Sequence, residues 1–211
     1  MMNYTTKLLT IISLMIFQAL ASANNINEHT VKSSEKWSFS KELKAQFVKK
    51  ENANYLVVSN KNNEVIAKKL IPRAKNLSNI TWSSSDQYLT YTDNDRSLWL
   101  FNIEESSVTL IEHNLLSQTP LKFNAQWSPN GQWMQYISKN NSRYPAKVYS
   151  LQRKRSYFVP IASNLISDIA WHRDNNELVI NVEQPIQSQP KMSLLDIKMT
   201  VKSGTQVVQL Y

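Results

Sequence analysis

"WSPNGQWMQY", residues 127–136, sets a tryptophan directly before a tight polar turn and follows the turn with two more aromatics. The phrase returns as "WSSSDQYLTY" at 82–91 and as "WHRDNNELVI" at 171–180. Trp82, Trp127 and Trp171 are spaced by 45 and 44 residues. Self-similarity at such a period marks a chain made of stacked supersecondary units, and it constrains the fold before any single element is read.

Each unit repeats one succession of strand signals. A short apolar approach ends at the tryptophan: "SNITW", "KFNAQW", "SDIAW". After the turn come "YLTYT", "WMQYIS" and "LVINV", then "SLWLFNI", "AKVYSL" and "MSLLDI", and finally "SVTLIE", "SYFVPIA" and "TQVVQLY". These runs are short, rich in β-branched and aromatic residues, and bounded by Asn, Asp, Ser and Pro, as strands are. Upstream, "LKAQFV", "NYLVVSN" and "NEVIAKKLI" supply three strands of a further unit. Trp37 lies 45 residues before Trp82, but its phase downstream is poor. Where the other units carry Leu89 and Tyr91, Met134 and Tyr136, or Leu178 and Ile180, this one has Lys44 and Gln46. The first unit is therefore expected to be irregular, with Trp37 either a degenerate repeat or a coincidence.

Four-stranded units of this length are the blades of a β-propeller, in which one small sheet buries its two faces against its neighbours. The sequence predicts an all-β chain, a small propeller of about four four-stranded blades, with the three tryptophan rings buried between blades. A β-sandwich is the rival, and it supplies no reason for the spacing. Closing the ring is expected to require residues 30–37 to join the last blade.

Within the turn, Pro129 presets φ while Asn130 and Gly131 tolerate left-handed conformations. Only Gly131 and Gly204 are glycines, so their place near turns is informative. Asp86 and Asp174 stand in the sister turns, where a carboxylate is expected to accept local backbone bonds. The stretches Trp82-Ser83-Ser84-Ser85-Asp86, Trp127-Ser128-Pro129-Asn130-Gly131 and Trp171 through Asn175 resemble the repeat of TolB-like propellers, itself similar in form to tryptophan-aspartate (WD40-like) repeats. The resemblance covers residues 75–211 and, more weakly, 37–74. It implies a propeller fold and is silent on activity. The strict Pro-Asp-Gly turn is nowhere intact, and the longer family pattern of six blades plus a separate N-terminal domain does not fit this length.

The start of the chain, "MMNYTTKLLTIISLMIFQALASANN", has Lys7 before an apolar run from Leu8 to Leu20 and then the small residues Ala21-Ser22-Ala23. That is the pattern of a cleaved export signal, too short for the roughly 20 apolar residues of a membrane span. The expected division is a signal at 1–23, a tail or closing strand at 24–36 and the propeller at 37–211. Removing the signal takes away one lysine and no acid, so the net charge of +8 becomes +7. Cysteine is absent. Disulfides, thiolate metal sites and a cysteine nucleophile are excluded, and a cysteine-free exported chain fits a bacterial periplasm. No membrane span is expected in the mature chain.

Little in the sequence suggests catalysis. His29, His113 and His172 have no metal-ligand spacing, and no G-x-S-x-G elbow or phosphate-binding glycine loop is present. Asp93, Asn94 and Asp95 lack the spacing and the closing acid of a calcium loop. No catalytic residue, metal or cofactor is therefore expected. The basic residues say more. "QRKRS" sets Arg153, Lys154 and Arg155 in the turn between third and fourth strands, on the same face as the "WSPNG" turn. Lys61, Lys198 and Lys202 are expected on that face, interrupted by Glu104 and Glu105. The opposite face is expected to show the loops "SKNNSRYPAK", with Arg143 and Tyr144, and "EQPIQSQPK". Export makes nucleic acid an unsuitable partner, and an acidic protein surface or anionic envelope component a natural one. The expected function is a non-enzymatic periplasmic interaction module. A propeller-type hydrolase or lyase is the alternative.

Overall fold

The computed structural model describes residues 30–33, 35–72, 76–94, 96–115, 125–139, 145–159, 161, 166–173, 177–182, 198–203 and 206–210. The β-branched and aromatic runs form strands, and the polar punctuation between them forms turns. The first sheet contains β1 (Thr30–Lys32), β2 (Lys36–Trp37), β3 (Leu43–Lys50), β4 (Ala53–Asn60) and β5 (Val65–Ile71). The second holds β6 (Leu77–Trp82), β7 (Tyr88–Asp93), β8 (Ser97–Asn102) and β9 (Ser107–Glu112). The third holds β10 (Gln126–Trp127), β11 (Trp133–Ile137), β12 (Ala146–Ser150) and β13 (Arg155–Phe158). The fourth holds β14 (Ile166–Trp171), β15 (Glu177–Val182), β16 (Lys198–Ser203) and β17 (Gln206–Leu210). The fold is all-β: four successive blade-like sheets in the manner of a partial propeller, the first irregular because β1 and β2 both pair with β3.

Register settles the status of Trp37. In every sheet the tryptophan closing the inner strand lies opposite the residue seven positions on: Trp37 faces Lys44, Trp82 faces Leu89, Trp127 faces Met134, and Trp171 faces Leu178. Trp37 is a true member of the repeat. Its phase looks poor only because Lys44 stands where the other sheets carry an apolar residue. The ammonium of Lys44 is accommodated by Glu35 at 2.8 Å and by the Trp37 ring at 5.5 Å.

Strand alternation sends those apolar positions toward the preceding sheet. Leu89 and Tyr91 of the second sheet pack on Ala45, Phe47, Leu56 and Val58 of the first. Met134 and Tyr136 of the third pack on Leu98 and Leu100 of the second. Leu178 and Ile180 of the fourth pack on Trp133, Ile137 and Val148 of the third. The described residues thus form three separate cores, one at each junction between successive sheets.

A tryptophan seals each junction, but less deeply than its apolar ring suggests. Trp82, Trp127 and Trp171 are half-buried at the margins of the three cores, which corrects the expectation of full burial. The reason is the indole N–H, which needs an acceptor. Each indole donates across the junction to the carbonyl just before the preceding sheet's tryptophan. Trp82 donates to Lys36 at 2.8 Å, Trp127 to Thr81 at 3.3 Å and Trp171 to Gln126 at 3.1 Å.

Residues 30–32 and 36–37, which a ring closed through the fourth sheet would need, pair instead within the first sheet. One expectation about the last unit is corrected. The third strand of the last unit is β16, and it runs parallel to β15, where an antiparallel strand at "MSLLDI" was expected. "MSLLDI" itself lies outside the described residues.

The second and third sheets are also joined by a buried ion pair. Lys147 Nζ lies 2.6 Å from Glu112 Oε2, with side-chain exposures of 11% and 5%. Glu112 Oε1 accepts the N–H groups of His113 and Asn114 at 3.0 and 3.1 Å. Burial alone would raise the Glu112 carboxyl, but Lys147 and the Asn114 N–H outweigh it and hold the group below its ordinary value. On the other face of β11 Gln135 is fully buried, and its amide has no partner among the described residues.

Two measurements test this packing. Trp127→Ala should lower unfolding free energy by about 3 kcal/mol in chemical denaturation, the low end for deletion of a core tryptophan. A loss below about 1 kcal/mol would show that the ring does not hold the junction. Glu112→Gln should cost about 3–5 kcal/mol because it strands a buried lysine, whereas Glu112→Leu combined with Lys147→Met should come within about 1 kcal/mol of the native protein.

Candidate functional site

The turns that follow the inner strands are built by serine. In the first three sheets the residue after the tryptophan is Ser38, Ser83 or Ser128, each buried. Its N–H donates five residues on, to the carbonyls of Leu43, Tyr88 and Trp133, at 2.8–2.9 Å. Its Oγ accepts the N–H of the same residue, at 3.2, 3.2 and 2.9 Å. Its carbonyl accepts the N–H three residues on, from Lys41, Asp86 and Gly131. These last residues have φ of 63°, 56° and 68°, the left-handed region. One turn geometry therefore holds with Lys, Asp or Gly at its final position. The second tip residue joins the closure: Ser40, Ser85 and Asn130 bond the serine hydroxyl at 3.3, 3.1 and 2.8 Å and accept the N–H of Glu42, Gln87 and Gln132 at 3.2, 3.5 and 3.0 Å, while the first tip residue is Phe39, Ser84 or Pro129.

Neighbouring turns touch. The Asp86 carboxylate does not accept local bonds as expected. It reaches the preceding turn and accepts the N–H groups of Phe39 at 2.8 Å and Ser40 at 3.0 Å. Desolvation would raise its proton affinity, but the hydroxyl of Ser40 and the two N–H groups outweigh that and hold Asp86 below its ordinary value. Gly131, at the same position one sheet later, abuts Ser84, and a Cβ there would lie 2.9 Å from Ser84 Oγ. Pro129 is exposed at the tip of that turn. Asp174 lies outside the described residues.

A second row of turns opens on the same face. The turns between the third and fourth strands dock on the first row through three equivalent bonds: Lys61 N–H to Glu42, Ile103 N–H to Gln87 and Leu151 N–H to Gln132, each at 3.1 Å. This row carries the charge. Lys61 is paired with Glu42 at 2.9 Å. Glu104 and Glu105 are exposed in the second turn. In the third, Lys154 is held exposed at φ 51°, while Arg153 and Arg155 converge on the hydroxyl of Tyr157. Arg155 Nε donates to that oxygen at 2.6 Å, and its guanidinium lies 4.7 Å from the ring centroid. Desolvation acts to raise the phenol, but the hydrogen bonds and charges of Arg155 and Arg153 prevail and hold it below its ordinary value. The Tyr157 ring is itself braced by Trp133 at 6.1 Å.

Beside this cluster an open cleft of about 150 Å³ lies at the junction of the second and third sheets. Tyr88, Asn102, Glu105, Ser107, Tyr149 and Lys154 line it. It sets one acid against one base and is small enough to admit a single side chain.

The structure thus gathers Arg153, Lys154, Arg155 and Lys61 on the face of the "WSPNG" turn. Of the fourth sheet's two lysines, Lys198 lies opposite Glu177, at the end of β15 that follows the Trp171 turn, whereas Lys202 lies opposite Asn181, toward the other end of the sheet, because β16 runs parallel to β15. Arg143, Tyr144 and Asp95 lie outside the described residues. Sequence reasoning missed Tyr157, whose only signal is its spacing from two arginines. It also missed the three serines, although the pair Trp-Ser at 37, 82 and 127 was legible. Among the described residues no three His, Asp or Glu side chains are grouped to share a metal ion.

No family model and no curated protein matches the chain. Solved β-propeller structures are similar in shape. The Myceliophteria thermophila Cps50 (Swd1) β-propeller domain is 13% identical with a TM-score of 0.47, over 72% of this chain and 51% of that one. The Dos1 propeller is 15% identical with a TM-score of 0.49, over 71% and 38%. The β-propeller domain of the Trilobed protease from Pyrococcus furiosus, described as having an open velcro topology, is 18% identical with a TM-score of 0.46, over 76% and 51%. The chain therefore spans between 38% and 51% of the length of these three structures.

Asp86 gives a pH-dependent test of the turn face. A carboxylate whose proton affinity is lowered by folding contributes its full stability above its unfolded value and loses it as pH falls through the folded one. Asp86→Asn should cost about 1–2 kcal/mol at neutral pH. That deficit should shrink as pH falls below the ordinary value of 3.8. A deficit that persists unchanged in acid would show that the charge is not what binds the two turns.

Proposed function

We propose that the protein is a non-enzymatic interaction module of the bacterial cell envelope, exported to the periplasm, whose turn face docks an acidic protein surface or anionic envelope component. The observation that supports this most is the convergence of Arg153 and Arg155 on Tyr157 Oη. An arginine fixed over the face of a braced tyrosine, with a second arginine acting on the same hydroxyl, forms a pre-organised anion receptor, since arginine offers a planar fork matched to carboxylate geometry. Random solubilising charge has no need for such bracing. Lys154 adds a third cation held outward by its turn. Residues 1–23 and the absence of cysteine support the compartment.

The face is built to gain affinity from its pattern of charge. Approach of an acidic partner would be steered by the net charge of +7 that remains once residues 1–23 are removed. Contact would then be made by the arginine pair, with the adjacent cleft admitting one side chain of the partner.

A fluorescent oligoglutamate peptide provides a defined probe. Its affinity should fall as ionic strength rises from about 0.1 M to 1 M, where the Debye length shrinks from roughly 10 Å to 3 Å. Arg153→Glu with Arg155→Glu should weaken binding at low salt by about a hundredfold while the variant keeps its native circular dichroism. The same variant should lose the protein captured from envelope extracts. Unchanged peptide affinity at low salt would exclude this face.

A further inference from the structure

The cleft beside the basic turn is a departure from the repeat. Ile103 and Leu151 occupy the same place in their sheets, each donating its N–H to the turn before, at Gln87 and Gln132. Ile103 is buried in the core between the first and second sheets. Leu151 is half-buried at the core between the second and third, which opens there toward the turn face. The residues lining this opening grade from buried to exposed as they grade from apolar to polar. Leu100 and Tyr149 are buried, Tyr88 and Leu151 half-buried, and Glu105, Thr109 and Lys154 exposed. The cleft therefore has an apolar floor and a polar rim. Its volume of about 150 Å³ is the size that accommodates one benzene ring.

Lys154 stands between Arg153 and Arg155 in the turn and also lines the cleft, so the arginine pair and the cleft share one loop. Resting on the reading of that pair as a carboxylate receptor, we infer that the cleft receives an aromatic ring of the same partner, about three residues along an extended segment from the carboxylate that the arginines hold. The spacing follows from the sheets. Tyr157 packs at the core between the third and fourth sheets, and Tyr149 in the core between the second and third. Receptor and cleft thus lie on opposite flanks of the third sheet. Stacked sheets lie about 10 Å apart and an extended chain rises about 3.3 Å per residue, so about three residues bridge the gap.

The charges around the cleft select a ring over a second acid. Glu105, which accepts the Ser107 hydroxyl at 3.0 Å, opposes entry of another carboxylate. Lys154 has no ion-pair partner among the described residues, which leaves its ammonium for the partner's acidic side. The partner is accordingly an extended acidic peptide segment carrying a phenylalanine, and acidic charge alone fills half of the site.

Two fluorescent peptides of one composition test the spacing. Phe-Ser-Ser-Glu-Glu-Ser-Ser-Phe sets a ring three residues from a carboxylate in either chain direction, and Ser-Ser-Phe-Glu-Glu-Phe-Ser-Ser sets it beside one. The first should bind about tenfold more tightly than the second, and than the same peptide with alanine for phenylalanine, because its ring is taken from water. Thr109→Trp, at an exposed rim position, fills the cleft. It should abolish the tenfold gain while keeping the native circular dichroism and an unchanged affinity for oligoglutamate. Equal affinity of the three peptides, with oligoglutamate still bound through Arg153 and Arg155, overturns the inference and leaves the arginine face standing. A gain that survives in Thr109→Trp also overturns it. A protein that binds no acidic peptide overturns the arginine face and this inference together.

Discussion

The protein depends on one recurring constraint: a tryptophan must bury its ring and satisfy its N–H in the same place. An indole wedged wholly inside a junction would lose its hydrogen bond, and one left outside would lose its packing. Setting the ring at the margin of the core, with its N–H on the carbonyl of the preceding inner strand, meets both demands. Such a bond is satisfied only in one register and one direction. It therefore fixes how each sheet sits on the last, which non-directional apolar contact between two flat faces does not do.

Within that frame the junctions differ in chemistry. The first is an aromatic and aliphatic core, with Phe47 edge-on to Tyr91 at 5.7 Å and Tyr91 stacked on Trp99 at 6.4 Å. The second adds the buried pair of Glu112 and Lys147. The third carries the enclosed amide of Gln135 beside an otherwise apolar cluster. Polar groups at these places contribute little net stability, yet they make each junction poorly interchangeable with the others. Sheets of nearly the same sequence pattern are thereby kept in their own order.

The number and order of the sheets were legible because period-2 alternation and a period of 44 or 45 residues leave a strong mark on the sequence. Trp37 was ambiguous because an apolar pattern cannot represent Lys44, whose burial depends on Glu35 and on the ring of Trp37. The parallel strand β16 was not legible, since alternation reads the same in either chain direction. Of the candidate site, the basic turn could be read from "QRKRS". Its convergence on Tyr157 could not, because that depends on how β13 places the ring. Asp86 shows the same limit. Its identity suggested a local acceptor, but its partners lie 46 and 47 residues away, brought near only by the stacking of sheets.

The serine that follows each tryptophan has a consequence of another kind. It works with a second short polar residue at the tip: Ser40, Ser85 and Asn130 each bond the serine hydroxyl and accept the N–H two residues on, from Glu42, Gln87 and Gln132. The residue between the two, Phe39, Ser84 or Pro129, differs in every sheet while the bonds around it recur. The mount therefore spans two polar positions and leaves one interchangeable insert. Mutation at that one place can rewrite the outline of the turn face while the bonds beneath it stay the same.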